Sequence, residues 1–561
     1  MSQRGNRLLL IVVSLLALVP PCLAASKPNI VLITLESARA DRMGFLGSKA
    51  RFTPALDGVA RQSLVFEQAY AQAPLTVASH ATILSGTYPQ TNGASEFGSP
   101  LPPSLPFLPE LLHSHGYRTA AFVGSRELDP RNGFAPGFER GFDVYDAGSP
   151  RERRGVEVAA RAAAWLRKAS APFFLWVQIR VQINDAGASA RVSYNPAITA
   201  ADAAAGKLIA ALRAGKFYDD TLIVVASDHG ESLGAHGEDT HGIFLYDETI
   251  HVPLLMKLPQ SQPPGKVVRA RVGLVDIAPT VLEVAGVPVP SQMQGQSLLR
   301  IARGNAPDQP VYSRSDFPQR AFGWSALESW RAGKYLYIRA PSPELYDLSN
   351  DPGATRNLAQ RSKATLETIA AQLLAFDQHF NGRGDSNAAL SSSEMQKLAS
   401  LGYVGLQKAT AANPAATGAD PKDNIASANK VLSALALLNQ GMAEKAVAML
   451  QPLPVGLSNS YLAEYALGTA LARQEKYSQA VEHLHHAIEL QPDSAWAHFE
   501  MGSSFIKSGD FKTAAVHLEI AATRLPSFAA AHALLAQAYD HMGRTEDAKR
   551  ERATAARLGP G

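Results

Sequence analysis

From Leu467 onward the chain repeats itself every 34 residues, and this period constrains its fold more than any other feature. Ala480, Ala514 and Ala548 share that spacing, as do Pro492, Pro526 and Pro560. Gly468, Gly502 and Ala536 keep it too, with Leu467, Met501 and Leu535 one position earlier. Leu471, Phe505 and Tyr539 form a further series, and Ala487, Ala521 and Ala555 another. A unit of this length holds two helices and a turn. Small residues let the helices approach, large ones fill the space between them, and proline ends the second helix. Such a unit buries its apolar face only against its neighbours, so the period predicts an all-α solenoid. A degenerate earlier unit fits 427–460, with Ala446 and Leu450 in register. Arg552 stands where Leu484 and Leu518 sit, as a solvent-facing end repeat requires.

The front of the chain follows another pattern. NIVLITL (29–35), YRTAAFVG (117–124), FFLWVQI (173–179) and TLIVVAS (221–227) are short apolar runs rich in β-branched and aromatic residues. They are separated by helix-compatible stretches such as 156–169 and 201–215. The pattern predicts an α/β domain, a mainly parallel sheet sandwiched by helices. A total of 561 residues is too long for one core. The polar, Ala-, Pro- and Thr-rich stretch after residue 405 reads as a linker. The expected organisation is therefore a front domain over 26–405, a linker over 406–425 and repeats over 426–561.

Residues 1–25 read as an export signal. Arg4 and Arg7 precede the apolar run Leu8–Val19, and Pro20, Pro21 and small residues follow. The run is short for a membrane span, which favours cleavage near Ala24 or Ala25 over an uncleaved anchor. The protein is expected in the periplasm or outside the cell. Cys22, the single cysteine, lies inside this segment, so the mature chain holds no thiol. Disulfides, cysteine-zinc sites and thiol nucleophiles are thereby excluded. A net charge of +3 leaves no basic field for nucleic acid.

Ligands bind at the carboxyl edge of an open parallel sheet. There NIVLITL ends on Glu36 and Ser37, and TLIVVAS on Asp228 and His229. Two carboxylates and an imidazole at neighbouring strand ends suit a divalent ion, although a strand-end acid is more often a helix cap. Between them, Thr76 and Ser79 precede a helix whose first amides favour an anion. A metal-bound threonine hydroxyl could attack sulfur or phosphorus, whereas a plain helix cap is the bland alternative.

Five segments occur in the order found in sulfatase-like hydrolases: NIVLITLESARADRMGFLG, APLTVASHATILSGTYPQTNG, SDHGESLGAHGEDTHGIFLYDETIHVPLL, LVDIAPTVLEVAGV and ELYDLSNDPGATRNLA. The front domain thus resembles a sulfatase of the alkaline-phosphatase superfamily, and the 34-residue units resemble tetratricopeptide repeats. The resemblance implies one divalent ion (zinc, manganese or calcium) held by Glu36, Thr76, Asp228 and His229, with Thr76 the nucleophile. It implies that His80 stabilises the transferred group and that His236 or His241 contacts the leaving group. In that family the nucleophile is a cysteine or serine converted to formylglycine; threonine cannot be. Glu36 departs from the family's aspartate, Phe97 from a polar residue, and Gln178, Val181 and Gln182 from a histidine-rich segment.

Two function classes follow. One is an exported hydrolase of a small-molecule or glycan sulfate or phosphate ester, with repeats that bind a protein partner. The other is a catalytically inactive fold kept as a scaffold for those repeats.

Overall fold

The computed structural model describes residues 27–148, 152–183, 188–261, 265–304, 308–380, 398, 418–451, 457 and 459–559. The expected signal and most of the expected linker lie outside these residues.

Eight strands form the main sheet in the order β4-β3-β5-β1-β6-β7-β2-β8. They are β1 (Asn29–Glu36), β2 (Leu64–Tyr70), β3 (Arg118–Val123), β4 (Val144–Asp146), β5 (Phe173–Arg180), β6 (Thr221–Ser227), β7 (His251–Lys257) and β8 (Lys266–Gly273). All neighbours are parallel except β6–β7 and β2–β7. Each of the four apolar runs is a strand, and β1 and β6 are buried throughout. Alternate residues face opposite sides: Ile30 and Leu32 join one core, Val31, Ile33 and Leu35 the other. Helix Thr76–Ser85 packs on the first face, and Gly155–Leu166 with Ala188–Ala214 on the second. That is the expected helix-covered, mostly parallel sheet.

A second, antiparallel sheet runs β12-β11-β10-β9, from β9 (Val311–Ser315), β10 (Leu327–Ala332), β11 (Tyr335–Arg339) and β12 (Glu344–Asp347).

Helix pairs follow the 34-residue period: Tyr461–Arg473 with Tyr477–Leu490, Ala495–Ser508 with Phe511–Arg524, and Ala529–His541 with Thr545–Leu558. The periodic glycines have a direct cause. A Cβ on Gly468 would meet the Leu484 side chain at 2.7 Å, and one on Gly502 would meet Leu518 at 2.6 Å. Arg552 is exposed and pairs with Asp540, as an end repeat allows.

The repeats do not stand apart from the front domain. One apolar cluster includes Ile243, Phe244, Phe317, Phe322 and Trp324 of the front domain together with Val431, Leu438, Leu462 and Leu467 of the array. The helical part starts inside the expected linker, at Pro421, where Asp420 caps helix Pro421–Asn439.

Candidate functional site

β1 lies between β5 and β6, so the ends of these three strands meet at one edge. Glu36 closes β1, Asp228 and His229 follow β6, and helix Thr76–Ser85 begins beside them with every residue buried. Asp228 Oδ1 accepts the backbone N–H groups of Ser37 (3.1 Å) and His229 (2.8 Å). Asp228 Oδ2 is buried without a hydrogen-bond partner. Burial, and then the Glu36 charge, hold this carboxyl well above the usual carboxylate range.

Thr76 and His229 make a directed pair. His229 Nδ1 lies 2.8 Å from the Gly230 carbonyl oxygen, which can only accept, so Nδ1 carries the ring hydrogen. Burial, with the neighbouring His241 charge, pushes the imidazole well below its usual pKa and keeps it neutral. Its Nε2 lone pair then faces Thr76 Oγ1 at 3.2 Å. A hydroxyl beside a neutral imidazole is a nucleophile–base arrangement.

His80 does not take the role the resemblance implies. It is wholly buried and lies one helical turn after Thr76, whose carbonyl oxygen accepts from Nδ1 at 2.8 Å. Thr34 Oγ1 lies 2.9 Å from Nε2 and itself accepts from the Trp176 indole. Burial lowers the pKa to about 4. A neutral ring with both nitrogens engaged inside the fold offers no charge to a transferred group.

His241 does reach the pair, its ring centroid 4.3 Å from that of His229. Burial opposes its charge, but the Glu231 carboxylate, 3.0 Å from Nδ1, raises the pKa to about 10. His241 is therefore cationic at neutral pH. His236 stacks on Tyr246 at 3.6 Å and lies 3.8 Å from Glu248.

Two further residues shape the site and were not singled out by their types. Glu96 accepts the N–H groups of Val77 (2.9 Å) and Ala78 (3.4 Å). Its carboxylate thus occupies the anion seat at the start of helix Thr76–Ser85. Burial, reinforced by the Glu127 charge, raises its pKa to about 7. Arg180 is the other. It is the cross-strand partner of Glu36 in the β1–β5 register, and its Nε donates to Glu36 Oε1 at 2.9 Å. Gln178 donates to Glu36 Oε2, and Arg180 also pairs with Glu152. Gln182 is exposed and Val181 buried. Phe97 lies between Phe317 and Tyr461 of the first complete repeat, so it serves the contact with the array.

The family model "Sulfatase" matches residues 28–287, and "N-sulphoglucosamine sulphohydrolase, C-terminal" matches 237–377. Repeat models, "TPR repeat" and "Tetratricopeptide repeat", match 468–509 and 505–560. Residues 28–377 are a sulfatase-family domain, and tetratricopeptide repeats follow it. The Ulvan-active sulfatase of Formosa agariphila is 26% identical over 413 residues, 62% of this chain and 80% of its own. Human Arylsulfatase K is 24% identical over 431 residues, 60% of this chain and 80% of its own. The crystal structure of the phosphonate monoester hydrolase of Agrobacterium radiobacter superposes with a TM-score of 0.55 at 20% identity. It covers 63% of this chain and 96% of its own, a likeness of fold.

Sulfatase-family proteins generally use a divalent metal ion, and the donor set of this sulfatase domain tests that expectation. Thr76, Asp228 and His229 converge, but Glu36 faces Arg180 and Gln178 instead. Among the described residues no group of three or more His, Cys, Asp or Glu side chains is arranged to hold a metal ion. Both Glu36 oxygens are engaged, one by the Arg180 guanidinium and one by the Gln178 amide, so the carboxylate would have to leave these partners to take a cation. The residues as they stand do not fit the single-ion site that the resemblance implies.

Proposed function

We propose that this sulfatase-family hydrolase cleaves sulfate or phosphate esters with Thr76 as nucleophile, without formylglycine. The observation that carries the reading is the 3.2 Å contact between Thr76 Oγ1 and the unprotonated Nε2 of His229. As Oγ1 attacks sulfur or phosphorus, its proton passes to Nε2. The new bond to Oγ1 forms, the ester oxygen–sulfur or oxygen–phosphorus bond breaks, and the leaving oxygen takes the proton that His229 Nε2 received. Water then cleaves the threonyl ester and restores the hydroxyl. The His241 cation opposes the negative charge gathering on the transferred group. For the group to dock on the helix start, the Glu96 carboxyl has to be neutral or turn aside.

Relatives named as an ulvan-active sulfatase and as Arylsulfatase K support sulfated glycans or aryl sulfates as a substrate class. Hydrolysis of a threonyl phosphate needs no aldehyde hydrate to expel the group, so phosphodiesters and phosphonate esters should be cleaved faster than aryl sulfates. Tetratricopeptide repeats support a protein partner. The apolar run Leu8–Val19 supports export, with a mature N-terminus near Ser26 that terminal sequencing of the secreted protein would read.

The test is turnover of bis(p-nitrophenyl) phosphate, p-nitrophenyl phenylphosphonate and p-nitrophenyl sulfate by native, Thr76→Ala and Thr76→Ser protein. Thr76→Ala should lower the rate at least about a thousandfold, with melting nearly unchanged, and Thr76→Ser should keep part of it. Full activity in Thr76→Ala would refute the nucleophile. A second reading, a binding fold without turnover, draws on Glu96 in the anion seat and Arg180 on Glu36. No turnover of any of the three esters by native protein would establish it over the first.

A further inference from the structure

We infer that Asn429 and Lys422, on the first helix of the array, are positioning residues for the loop that carries His241. This rests on the proposed hydrolase reading for its consequence, though not for its geometry. Residues 231–241 leave the β6 edge and return to it as one closed loop. Ser232 N–H donates to Thr240 O at 2.8 Å, and Gly234 N–H to Glu238 O at 2.7 Å. The base of the loop holds the Glu231–His241 pair beside His229. Its tip, Ala235–Gly237, takes a conformation that needs outside support: His236, a non-glycine residue, sits at φ +52°.

Support comes from helix Pro421–Asn439 along two routes. Asn429 Nδ2 donates to Gly237 O at 2.8 Å while its Oδ1 accepts Asp239 N–H at 3.2 Å. The two bonds fix the amide's orientation, since the reverse would set oxygen against oxygen and N–H against N–H. Ile425 closes the same contact from below Gly237, where a Cβ would come within 3.3 Å of it. The second route runs through Lys422, whose Nζ lies 2.9 Å from Glu344 Oε1. Glu344 Oε2 accepts the Tyr246 hydroxyl at 2.6 Å, and the Tyr246 ring stacks on His236. Asp239, held by Asn429, is two residues from His241. The array thus holds the tip, and the tip fixes where the base presents the His241 ring.

The experiment uses the full chain with Asn429→Ala, Asn429→Asp and Lys422→Met. Hydrogen exchange of the amides of 232–241 is read beside kcat and KM on bis(p-nitrophenyl) phosphate. Asn429→Ala should speed exchange across this whole loop, including the Ser232 and Gly234 amides, which Asn429 does not touch. Exchange in the repeats beyond Tyr461 should not change. kcat should fall about tenfold with KM within about twofold, because His241 acts on the charge that develops during reaction. Asn429→Asp keeps the acceptor for Asp239 and should lie between native and Asn429→Ala. Acceleration confined to the Asp239 amide, with kcat unchanged, would overturn the inference. If native protein turns over no ester, the hydrolase reading fails while the exchange measurement still decides the clamp: a faster loop upholds it, an unchanged one overturns it.

Discussion

A chain ending before Pro421 should fail to accumulate as a soluble, cooperatively melting domain. The polar stretch after residue 405 points the other way, to a front domain that stands without its repeats. The packing decides between them. Phe97 touches Tyr461, helix Phe317–Phe322 lies against helix Tyr461–Arg473, and Ser460 Oγ donates to Ala321 O at 3.0 Å. Phe134 stacks on Trp496 at 4.8 Å, and Leu525 seats against Gly133. Removing the array leaves several large apolar side chains in water at roughly 1.5–3 kcal/mol each. The sum is comparable with the whole stability of a domain, about 5–15 kcal/mol. The exposed patch would also favour association. Expression of residues 26–417, followed by gel filtration and dye binding, checks this. A monomeric product with a sharp melting transition and no dye binding would show that the front domain is independent.

What could be read from the sequence divides by how local the cause is. The strands were legible because β1, β5 and β6 are buried on both faces and are written as unbroken apolar runs. The repeats were legible because each small residue answers one contact repeated at fixed spacing, as Gly468 and Gly502 do. The start of the array was placed too late, although Asp420–Pro421 is an N-cap followed by proline at the first helical position. That signal is obscured by the linker-like composition before it. The site was harder because its chemistry depends on pairings across the sheet. Gln178 and Gln182 mark what a metal site would lack, but nothing local says that Arg180 faces Glu36. Only the β1–β5 register does. Glu96 sits beside Phe97 and gives no sign that its carboxylate bends back to a helix start twenty residues earlier. His80 looks like a surrogate for a positive charge until its spacing of four from Thr76 is read as a bond within one helix.

Native protein should melt at the same temperature in chelator and in zinc or manganese, whereas Arg180→Ala should not. Arg180 pairs with both Glu36 and Glu152, and the partly buried Glu127 carboxyl nearby is raised by burial and by the Glu36 charge. Truncating one partner of a buried pair strands the other charge, typically at about 3–5 kcal/mol. With 19% of the Arg180 side chain exposed, the low end applies, about 3 kcal/mol. The stranded carboxylate of Glu36 then stands near Asp228, whose Oδ2 already lacks a partner. A divalent ion binding that variant would return stability as its concentration exceeds its dissociation constant, about 2.7 kcal/mol at a hundredfold excess. Glu36→Gln in the native background removes one carboxylate but leaves Arg180 paired with Glu152, so it should cost much less. In Arg180→Ala with Glu36→Gln, metal rescue should disappear. Urea unfolding of the four proteins with and without metal, with elemental analysis of the native chain, distinguishes the cases. One tightly held ion in native protein, or a metal-dependent rise in its unfolding midpoint, would show that Glu36 leaves Arg180 to serve as a ligand. An unresponsive native chain beside a responsive Arg180→Ala would show that the guanidinium stands where the family places an ion.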